Sequence, residues 1–418
     1  MKLVLYDDRI ADDWRPFALT RPIGEIRFGA MTLRERLERW VGRAAEATLT
    51  RPWLAAFGES GAPPALPLGE APQGDLLLVS SRFVPEGEPP VGLLEARGPV
   101  MLVCGGAVVG CRLPAGADRP DADWLAAARP IEGSREIAVA GRLLGGVWQL
   151  VEFGVERLER DVHRAAAEAV IPGGQAADAS AIVDPDPPPG VHRIGGAPLV
   201  FGEGVSIEPG ALLDTRAGGI LLGPRTTVRA GARLEGPIAV GADCRLLGGA
   251  YAALSAGPRC YLRGELEETI AFGYVNKAHD GFLGHAVVGR WVNLGALTTN
   301  SDLKNTYGQV SLGGPDGPVE TDLVKLGCLL GDHVRTAIGT LLNTGTVVGA
   351  GASLFGDRMP SKWVPPFAWG AGGEAASYRL NDFLDTAATV LGRREVAVDA
   401  RVREWWTACW ERAAGGGA

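Results

Sequence analysis

An apolar residue recurs at a step of six through much of the C-terminal half of the chain. The step runs, in two stretches, through Phe201, Ile207, Leu213, Leu222, Val228, Leu234, Val240 and Leu246. It returns downstream at Phe282, Val288, Leu294, Leu330, Thr336, Leu342, Val348 and Leu354, where Thr336 is the one polar member. An amphipathic helix spaces apolar residues three and four apart, and a half-buried strand spaces them two apart. A sustained step of six therefore indicates neither.

Glycine often follows the apolar residue directly, as in Leu222-Gly223, Val240-Gly241, Leu294-Gly295 and Leu330-Gly331. A three-sided coil with about six residues per face needs one inward aliphatic side chain on each face and a small residue where the chain turns the corner. The pattern predicts a parallel β-helix from about residue 201 to 354. Chance spacing in a glycine-rich loop is the alternative.

Composition narrows the possible partners. The net charge of -8 is unfavourable for a nucleic-acid or anionic-membrane surface, so small molecules are the expected ligands. No stretch approaches the roughly 18 apolar residues of a membrane span, and the N-terminus turns acidic before any signal-peptide core, so we expect a cytoplasmic protein. The cysteines show no metal-ligand spacing and are expected to be buried free thiols.

Four segments are expected along the chain. Residues 1–180 have the alternating strand and helix patterns of an α/β domain, and residues 181–198, which include a proline-rich run, are expected to form a linker. Residues 199–370 are the predicted β-helix, and residues 371–418 are a predicted helical tail. The tail contains Trp405, Trp406 and Trp410, so we expect it to pack onto the coil or onto a neighbouring subunit.

Three runs of sequence then point to a family. They are Asn276-Lys277-Ala278-His279-Asp280-Gly281-Phe282-Leu283-Gly284-His285, Trp291-Val292-Asn293-Leu294-Gly295-Ala296 and Asn300-Ser301-Asp302-Leu303-Lys304-Asn305-Thr306-Tyr307-Gly308. They resemble the bifunctional N-acetylglucosamine-1-phosphate uridylyltransferase and glucosamine-1-phosphate acetyltransferase family. The openings Leu5-Tyr6-Asp7-Asp8 and Leu19-Thr20-Arg21-Pro22-Ile23-Gly24 are similar to a divergent bacterial branch with a sugar nucleotidyltransferase-like N-terminal domain.

The resemblance implies the handedness, the ligands and the assembly. The coil would be a left-handed parallel β-helix of hexapeptide repeats, and such coils usually trimerise, so a homotrimer is expected. Acetyl-CoA, a sugar 1-phosphate and UTP or another nucleoside triphosphate would be the substrates, with Mg²⁺ in the nucleotidyl transfer.

The resemblance also implies roles in the coil domain. His279 matches the general-base histidine and Asn293 a second catalytic position, with His285 as the competing base. Substrate contacts would come from Asn276, Lys277, Lys304, Asn305 and Tyr307. A satisfied structural histidine and a solvated loop lysine are the alternatives for His279 and Lys304.

The later hexads resemble the face that holds the pantetheine arm of coenzyme A, which gives Ala337, Gly339 and Gly349 as cofactor contacts and Lys362 as a phosphate contact. The chain departs from the better-known family members at one place. Where they have a lysine in the coil that precedes the histidine, residues 264–269 here are acidic. The departure leaves the phosphate-bearing acceptor open.

In the N-terminal domain, Arg21, Arg27 and Arg34 are expected to cradle a nucleotide, and Ser80 stands where the family has an asparagine. Asp7 and Asp8 end the first strand, where they would serve either as metal ligands or as turn and cap residues.

Three functions fit this sequence. The first is a bifunctional enzyme that makes a UDP-N-acetylamino sugar. The second is a hexapeptide acyltransferase whose N-terminal domain binds a sugar nucleotide without turning it over. The third is a non-catalytic trimeric scaffold.

Overall fold

The fold is taken from a computed structural model, which describes residues 1–93, 98–172, 179–370 and 376–415. Contacts divide the chain into two compact units. One comprises residues 1–26, 32–147 and 398–418, and the other comprises residues 27–31 and 148–397. The ends of the predicted tail, residues 371–375 and 416–418, lie outside the described residues.

The first unit is built on a seven-stranded, mostly parallel sheet. Its first strand, Lys2–Tyr6, lies parallel to both of its neighbours, Ala45–Thr50 and Leu76–Ser80. The other members are Ala65–Pro67, Val100–Cys104, Ala107–Leu113 and Arg135–Ala138. Leu76–Ser80 is buried along its whole length and Lys2–Tyr6 is buried from Leu3 onward, as expected of a covered parallel sheet. Lys2–Tyr6, Ala45–Thr50 and Leu76–Ser80 run in the same direction, so their carboxyl ends lie at the same edge of the sheet. The residues that follow these three strands are therefore brought to that edge.

Helices and short strands complete the first unit. Helix α1 (Leu33–Val41) begins with a capping box between Thr32 and Glu35 and ends at the left-handed Gly42. Helix α2 spans Ala122–Ala127, and Phe83–Pro85 pairs with Gly141–Leu143. Three 3₁₀ turns span Arg9–Asp13, Ile23–Glu25 and Pro52–Leu54.

The second unit is a left-handed parallel β-helix with three faces. The first face consists of Ile182–Val183, Leu199–Phe201, Ile220–Leu222, Ile238–Val240, Ser255–Ala256, Ile270–Ala271, Val287–Val288, Leu329–Leu330, Val347–Val348 and Trp363–Val364. The second face consists of Ser206–Ile207, Thr227–Val228, Asn276–Lys277, Asn293–Leu294, Arg335–Thr336, Ser353–Leu354 and Ala368–Trp369, with the starts of Arg245–Ala252 and Tyr261–Glu267. The third face continues those two long strands and adds His192–Ile194, Leu212–Asp214, Ala232–Glu235, Phe282–Gly284, Thr299–Asn300 and Leu341–Leu342.

The hexad residues stack as the step of six predicts. Phe201 lies over Leu222, and Leu222 lies over Val240, so equivalent positions of successive coils form one buried column. The prediction is wrong at Phe282. The neighbouring Leu283 is the buried residue there, in register with Leu266, while Phe282 is half-buried. The coils here are shorter than three full hexads, so the inward position moves by one residue.

Glycine is required where successive coils touch. A Cβ at Gly349 would lie 2.3 Å from the backbone nitrogen of Pro366, and one at Gly223 would lie 2.5 Å from the carbonyl carbon of Gly241. Both distances are shorter than any real contact, which explains why glycine follows the inward aliphatic residue.

Helices cover parts of the β-helix. Helix α4 (Gly154–Glu168), which follows the short α3 (Gln149–Glu152), buries Leu158 and Val162 against the first face. Helix α5 (Leu380–Gly392) packs Phe383 against Phe367, with ring centroids 5.0 Å apart. The segment expected as a linker contributes two short coil strands.

The last helix, α6 (Ala400–Ala414), belongs to the first unit, whereas we expected the tail to pack onto the coil or onto a neighbouring subunit. The indole nitrogen of Trp405 donates to the Thr20 carbonyl at 2.9 Å, and Trp405 packs edge-on against Phe57.

An arm interrupts the β-helix between Asn300 and Gly327. It contains a hairpin of Ser311–Leu312 and Val319–Glu320. The remaining short strands are Arg27–Phe28, Met31–Thr32, Val170–Ile171, Ala179–Ser180 and Ala376–Ser377. Within the described residues, no helix has both the length and the apolar character needed to cross a membrane.

Candidate functional site

Polar side chains form an outward ladder on the second face. Strand register places one residue of each successive coil at the same outward position: Arg245, Tyr261, Asn276, Asn293, Arg335 and Ser353. The amide nitrogen of Asn276 donates to the Asn293 side-chain oxygen at 2.8 Å, which leaves the Asn293 amide nitrogen without a partner in the described chain. The ladder therefore presents an amide donor to ligands.

His279 is exposed at the corner that follows this ladder. Its coil stacks on the next through the Leu297 amide, which donates to the Asp280 carbonyl at 3.0 Å. That coil stacks in turn on the following one, because the Gly339 amide donates to the Ala296 carbonyl at 2.7 Å. The predicted base and the predicted coenzyme contact at Gly339 thus share one corner of the β-helix.

A pocket of about 260 Å³ opens at the same corner, two coils further on. Its walls come from residues 338–341 and 354–360, which include Gly339 and the cationic Arg358. Ala337 lies directly before this wall. Gly349, in contrast, is buried under Pro366, where it serves coil stacking.

Lys277 is placed inside the coil. It lies in register with the core residue Leu262 and is 1% exposed. Its ammonium group donates to the carbonyls of Arg263 and His279, each at 3.0 Å. Burial lowers the pKa of Lys277 to about 8. This lysine therefore holds the backbone of the His279 corner instead of presenting a cation at the surface.

The remaining predicted substrate contacts lie on the arm. Asn305 and Tyr307 are exposed, and the Lys304 ammonium group donates to the Gln309 carbonyl. Lys362 donates to the Ser311 carbonyl at 3.1 Å. Burial and the like charge of Lys304 lower the pKa of Lys362, so the structure brings together two lysines that the sequence assigned to different ligands.

His285, the competing base, is buried between two carboxylates. Its Nδ1 lies 2.8 Å from Asp302, and its Nε2 lies 3.3 Å from Glu268. Burial by itself favours the neutral ring, but the hydrogen bond and charge of Glu268 and the charge of Asp302 outweigh it, so the pKa of His285 is raised. Through His285, these contacts link Asp302 at the start of the arm to Glu268 on the coil. Both ring nitrogens of His285 are occupied, so neither is free for a substrate. Glu267, Glu268 and His285 also offer donor atoms within 4.8 Å of one another, a spacing that could hold a cation.

In the first unit, two acids and two arginines meet at the carboxyl edge of the sheet. Asp8 caps the following 3₁₀ turn. It also accepts two hydrogen bonds from Arg82, from Nε to Oδ1 at 2.8 Å and from Nη2 to Oδ2 at 2.6 Å. Asp7 accepts from Thr50 and pairs with Arg51 at 3.2 Å, and its Oδ1 has no partner within the described chain. The cap interpretation therefore holds for Asp8, and Asp7 alone offers an oxygen that could bind Mg²⁺.

The predicted arginine contacts to a nucleotide each have a partner within the protein. Arg21 is buried and pairs with Glu59 at 3.0 Å, and Arg34 pairs with Glu25 at 2.6 Å. Ser80 is buried. Arg27 belongs to the second unit, where it donates to Ser255 at 2.8 Å. The two arginines of the first unit are thus neutralised by carboxylates within the unit itself.

Sequence reasoning missed Arg335 and Arg393. Arg335 occupies the outward ladder position immediately before Thr336, and Arg393 follows the end of α5. The step of six could have indicated Arg335, because it marks Thr336 as an inward residue and the preceding residue as an outward one. Nothing in the sequence connects Arg393 with this face.

Thr336 itself shows how the coil accepts a polar inward residue. Its hydroxyl lies 2.7 Å from the Thr298 hydroxyl and accepts from the Gly295 amide at 3.0 Å. Both hydrogen bonds join Thr336 to the neighbouring coil, so the inward hydroxyl is satisfied without a change of register.

Comparison with known proteins assigns a class to the N-terminal part. Residues 3–169 match the family described as sugar nucleotidyl transferase. No curated protein matches the chain. A sugar nucleotidyltransferase-like domain thus precedes the β-helix, and together they suggest a role in sugar-nucleotide metabolism.

Proposed function

We propose that the chain is a bifunctional enzyme of sugar-nucleotide synthesis. The coil domain would transfer an acetyl group from acetyl-CoA to the amine of an amino-sugar 1-phosphate, with glucosamine 1-phosphate as the first candidate. The N-terminal domain would then transfer a uridylyl group from UTP, giving UDP-N-acetylglucosamine or a similar product. These substrates are cytoplasmic metabolites, and the sequence resemblance favours a homotrimer.

The observation that carries the acetyltransferase proposal is the shared corner of the β-helix. His279 is exposed there, Asn293 has a free amide donor on the adjoining strand, and a pocket lies two coils further on at the same corner. An acyl transfer needs a base, a donor for the thioester oxygen and a groove for the coenzyme, and this corner offers all three.

The proposed acetyl transfer follows from these groups. The neutral amine attacks the thioester carbonyl carbon, a ring nitrogen of His279 takes the proton of the amine, and the carbon–sulfur bond breaks to release the coenzyme A thiolate. The free amide nitrogen of Asn293 would donate to the oxygen on which charge develops. Lys277 would keep the backbone of the His279 corner in position.

In the nucleotidyl transfer, a sugar-1-phosphate oxygen attacks the α-phosphorus of UTP and pyrophosphate leaves. Mg²⁺, when bound, would neutralise phosphate charge, and Asp7 would hold it through its free oxygen. The match of residues 3–169 to sugar nucleotidyl transferases supports this step.

A coupled assay tests both halves. The protein would be offered glucosamine, galactosamine and glucose 1-phosphates with acetyl-CoA and each nucleoside triphosphate, and thiol release, pyrophosphate release and product masses would be measured. We expect the His279→Ala variant to lose at least a hundredfold in thiol release, since general base catalysis typically contributes about 10²–10⁴. His192→Ala, an exposed histidine at the start of the coil, is the matched control.

One observation favours the second candidate, an acyltransferase with a non-catalytic N-terminal domain. Arg21 and Arg34 are already paired with carboxylates and would have to release them to meet a triphosphate. Steady pyrophosphate release from UTP and sugar phosphate rejects this candidate. A wild-type protein without any acetyl-CoA-dependent activity supports the scaffold instead.

A further inference from the structure

Several arginines on the β-helix pair with an acid. Arg216 pairs with Asp214 at 2.6 Å and Arg225 with Asp243 at 2.7 Å. The same holds for Arg193, Arg233 and Arg263. Such pairs on the outside of a coil cancel the charge that each arginine brings.

Arginines around the outward ladder lack such a pair. Arg245, Arg335, Arg393 and Arg394 form no ion pair with any residue that the structure describes. Arg394 instead lies over the Tyr261 ring, 3.7 Å from its centroid, and Arg245 lies 4.8 Å from that centroid. The positive charge of this face is therefore uncompensated within the described protein.

Arg335 is the most informative of the four. It is half-buried between Asn293 and Ser353 on the ladder, and its Nη2 is buried without a hydrogen-bond partner among the described residues. A buried guanidinium nitrogen that donates to nothing is unfavourable, because it has lost water without gaining an acceptor. A ligand oxygen would supply that acceptor.

Arg393 adds a second cation near Arg335. It is exposed, and its charge acts on the guanidinium of Arg335. Burial, together with this like charge, lowers the pKa of Arg335. A half-buried guanidinium with an unpartnered nitrogen and a second arginine nearby, neither of them paired with an acid among the residues that the structure describes, suits an anion, since planar guanidinium groups match phosphate oxygens.

We propose that Arg335 and Arg393, with the amides of Asn276 and Asn293 beside them, bind the phosphate group of a small-molecule ligand. This inference rests on the proposed function only for the identity of the ligand, which would be the amino-sugar 1-phosphate. It gives the acceptor phosphate cationic contacts on the second face, where the acidic residues 264–269 and the buried Lys277 cannot provide them.

Isothermal titration tests the site directly. Glucosamine 1-phosphate, coenzyme A and inorganic phosphate would each be titrated at low ionic strength into the wild type and into the variants Arg335→Gln, Arg393→Gln and Arg229→Gln. Arg229 is an exposed arginine on an earlier coil, so its variant removes one positive charge away from the site. Circular dichroism of each variant checks that the fold is kept, and exposed Arg393 provides a variant in which folding is least at risk.

We expect Arg335→Gln and Arg393→Gln each to weaken binding of the phosphate ligand roughly tenfold or more, with Arg229→Gln unchanged. A loss confined to glucosamine 1-phosphate assigns the site to the acceptor, and a loss confined to coenzyme A assigns it to the acetyl donor; both support a phosphate site. Unchanged affinities in both variants, or no binding of any probe to the wild type, overturn it. Binding that depends on Arg335 in a protein without acetyl transfer would reject the proposed function and keep the site.

Discussion

Replacing Lys277 by methionine tests whether a cation is buried inside the β-helix. Lys277 occupies an inward column position, where its ammonium group donates to two carbonyl oxygens and forms no ion pair with any carboxylate in the described part of the chain. Methionine has a similar length and no charge, so the variant removes the ammonium group while the coil stays filled.

The expected size of the effect follows from the pKa. Burial lowers the pKa of Lys277 from 10.5 in the unfolded chain to about 8. Each pKa unit corresponds to about 1.4 kcal/mol, so the neutral amine is favoured in the folded state by about 3 kcal/mol. Between about pH 8 and 10.5 the unfolded chain binds more protons than the folded protein, so stability rises with pH in that window and is flat below it.

Urea unfolding followed by far-ultraviolet circular dichroism would be measured from pH 7 to 10.5 for the wild type and for Lys277→Met. Across this range the unfolding free energy of the wild type should rise by about 3 kcal/mol relative to that of the variant. Taking the difference between the two proteins cancels the contributions of all other titrating groups. Lys2→Met, at an exposed position, controls for the loss of a lysine as such. Parallel curves for the wild type and Lys277→Met would refute the reasoning.

Three further changes probe other parts of the structure. Gly349→Ala should lower the unfolding free energy by about 2 kcal/mol or more in urea titrations, because its Cβ would overlap Pro366; an unchanged midpoint contradicts this contact. For His285→Gln, the stability difference from the wild type should be largest below about pH 6.5 and shrink as pH rises through the raised pKa of His285, as followed by thermal unfolding; a difference that grows with pH is the opposite sign. Asp8→Asn leaves Arg82 as an uncompensated buried cation and should cost about 3–5 kcal/mol, whereas wild-type stability would exclude a structural ion pair.

Periodicity was sufficient to predict the β-helix because the interior of a coil is filled by one residue per face. The positions of Val288 and Leu294 were predicted for this reason, and both are buried in the common core. The position of Phe282 was predicted wrongly, because the step of six assumes coils of constant length. The short coils around residues 256–283 shift the inward position to Leu283.

Individual site residues were less predictable. His279, Asn276 and Asn293 belong to one neighbourhood, because residues at equivalent positions of successive coils stack in space. Lys277 was expected to meet substrate, but it points inward, since side chains alternate between the two sides of a strand and its neighbour Asn276 points outward.

By itself, the order of residues determined the parts of this protein that depend on local repetition, which are the three-sided coil and its glycine corners. Only the tertiary structure decided which charges are satisfied. Arg34 meets Glu25 because the chain folds them together, while Arg335 and Arg393, distant in sequence, lie near each other and pair with no acid in the described part of the chain. The physical reason is that a charge is stabilised or left uncompensated by whichever groups surround it in space, and a repeat pattern fixes only which side of a strand a residue occupies.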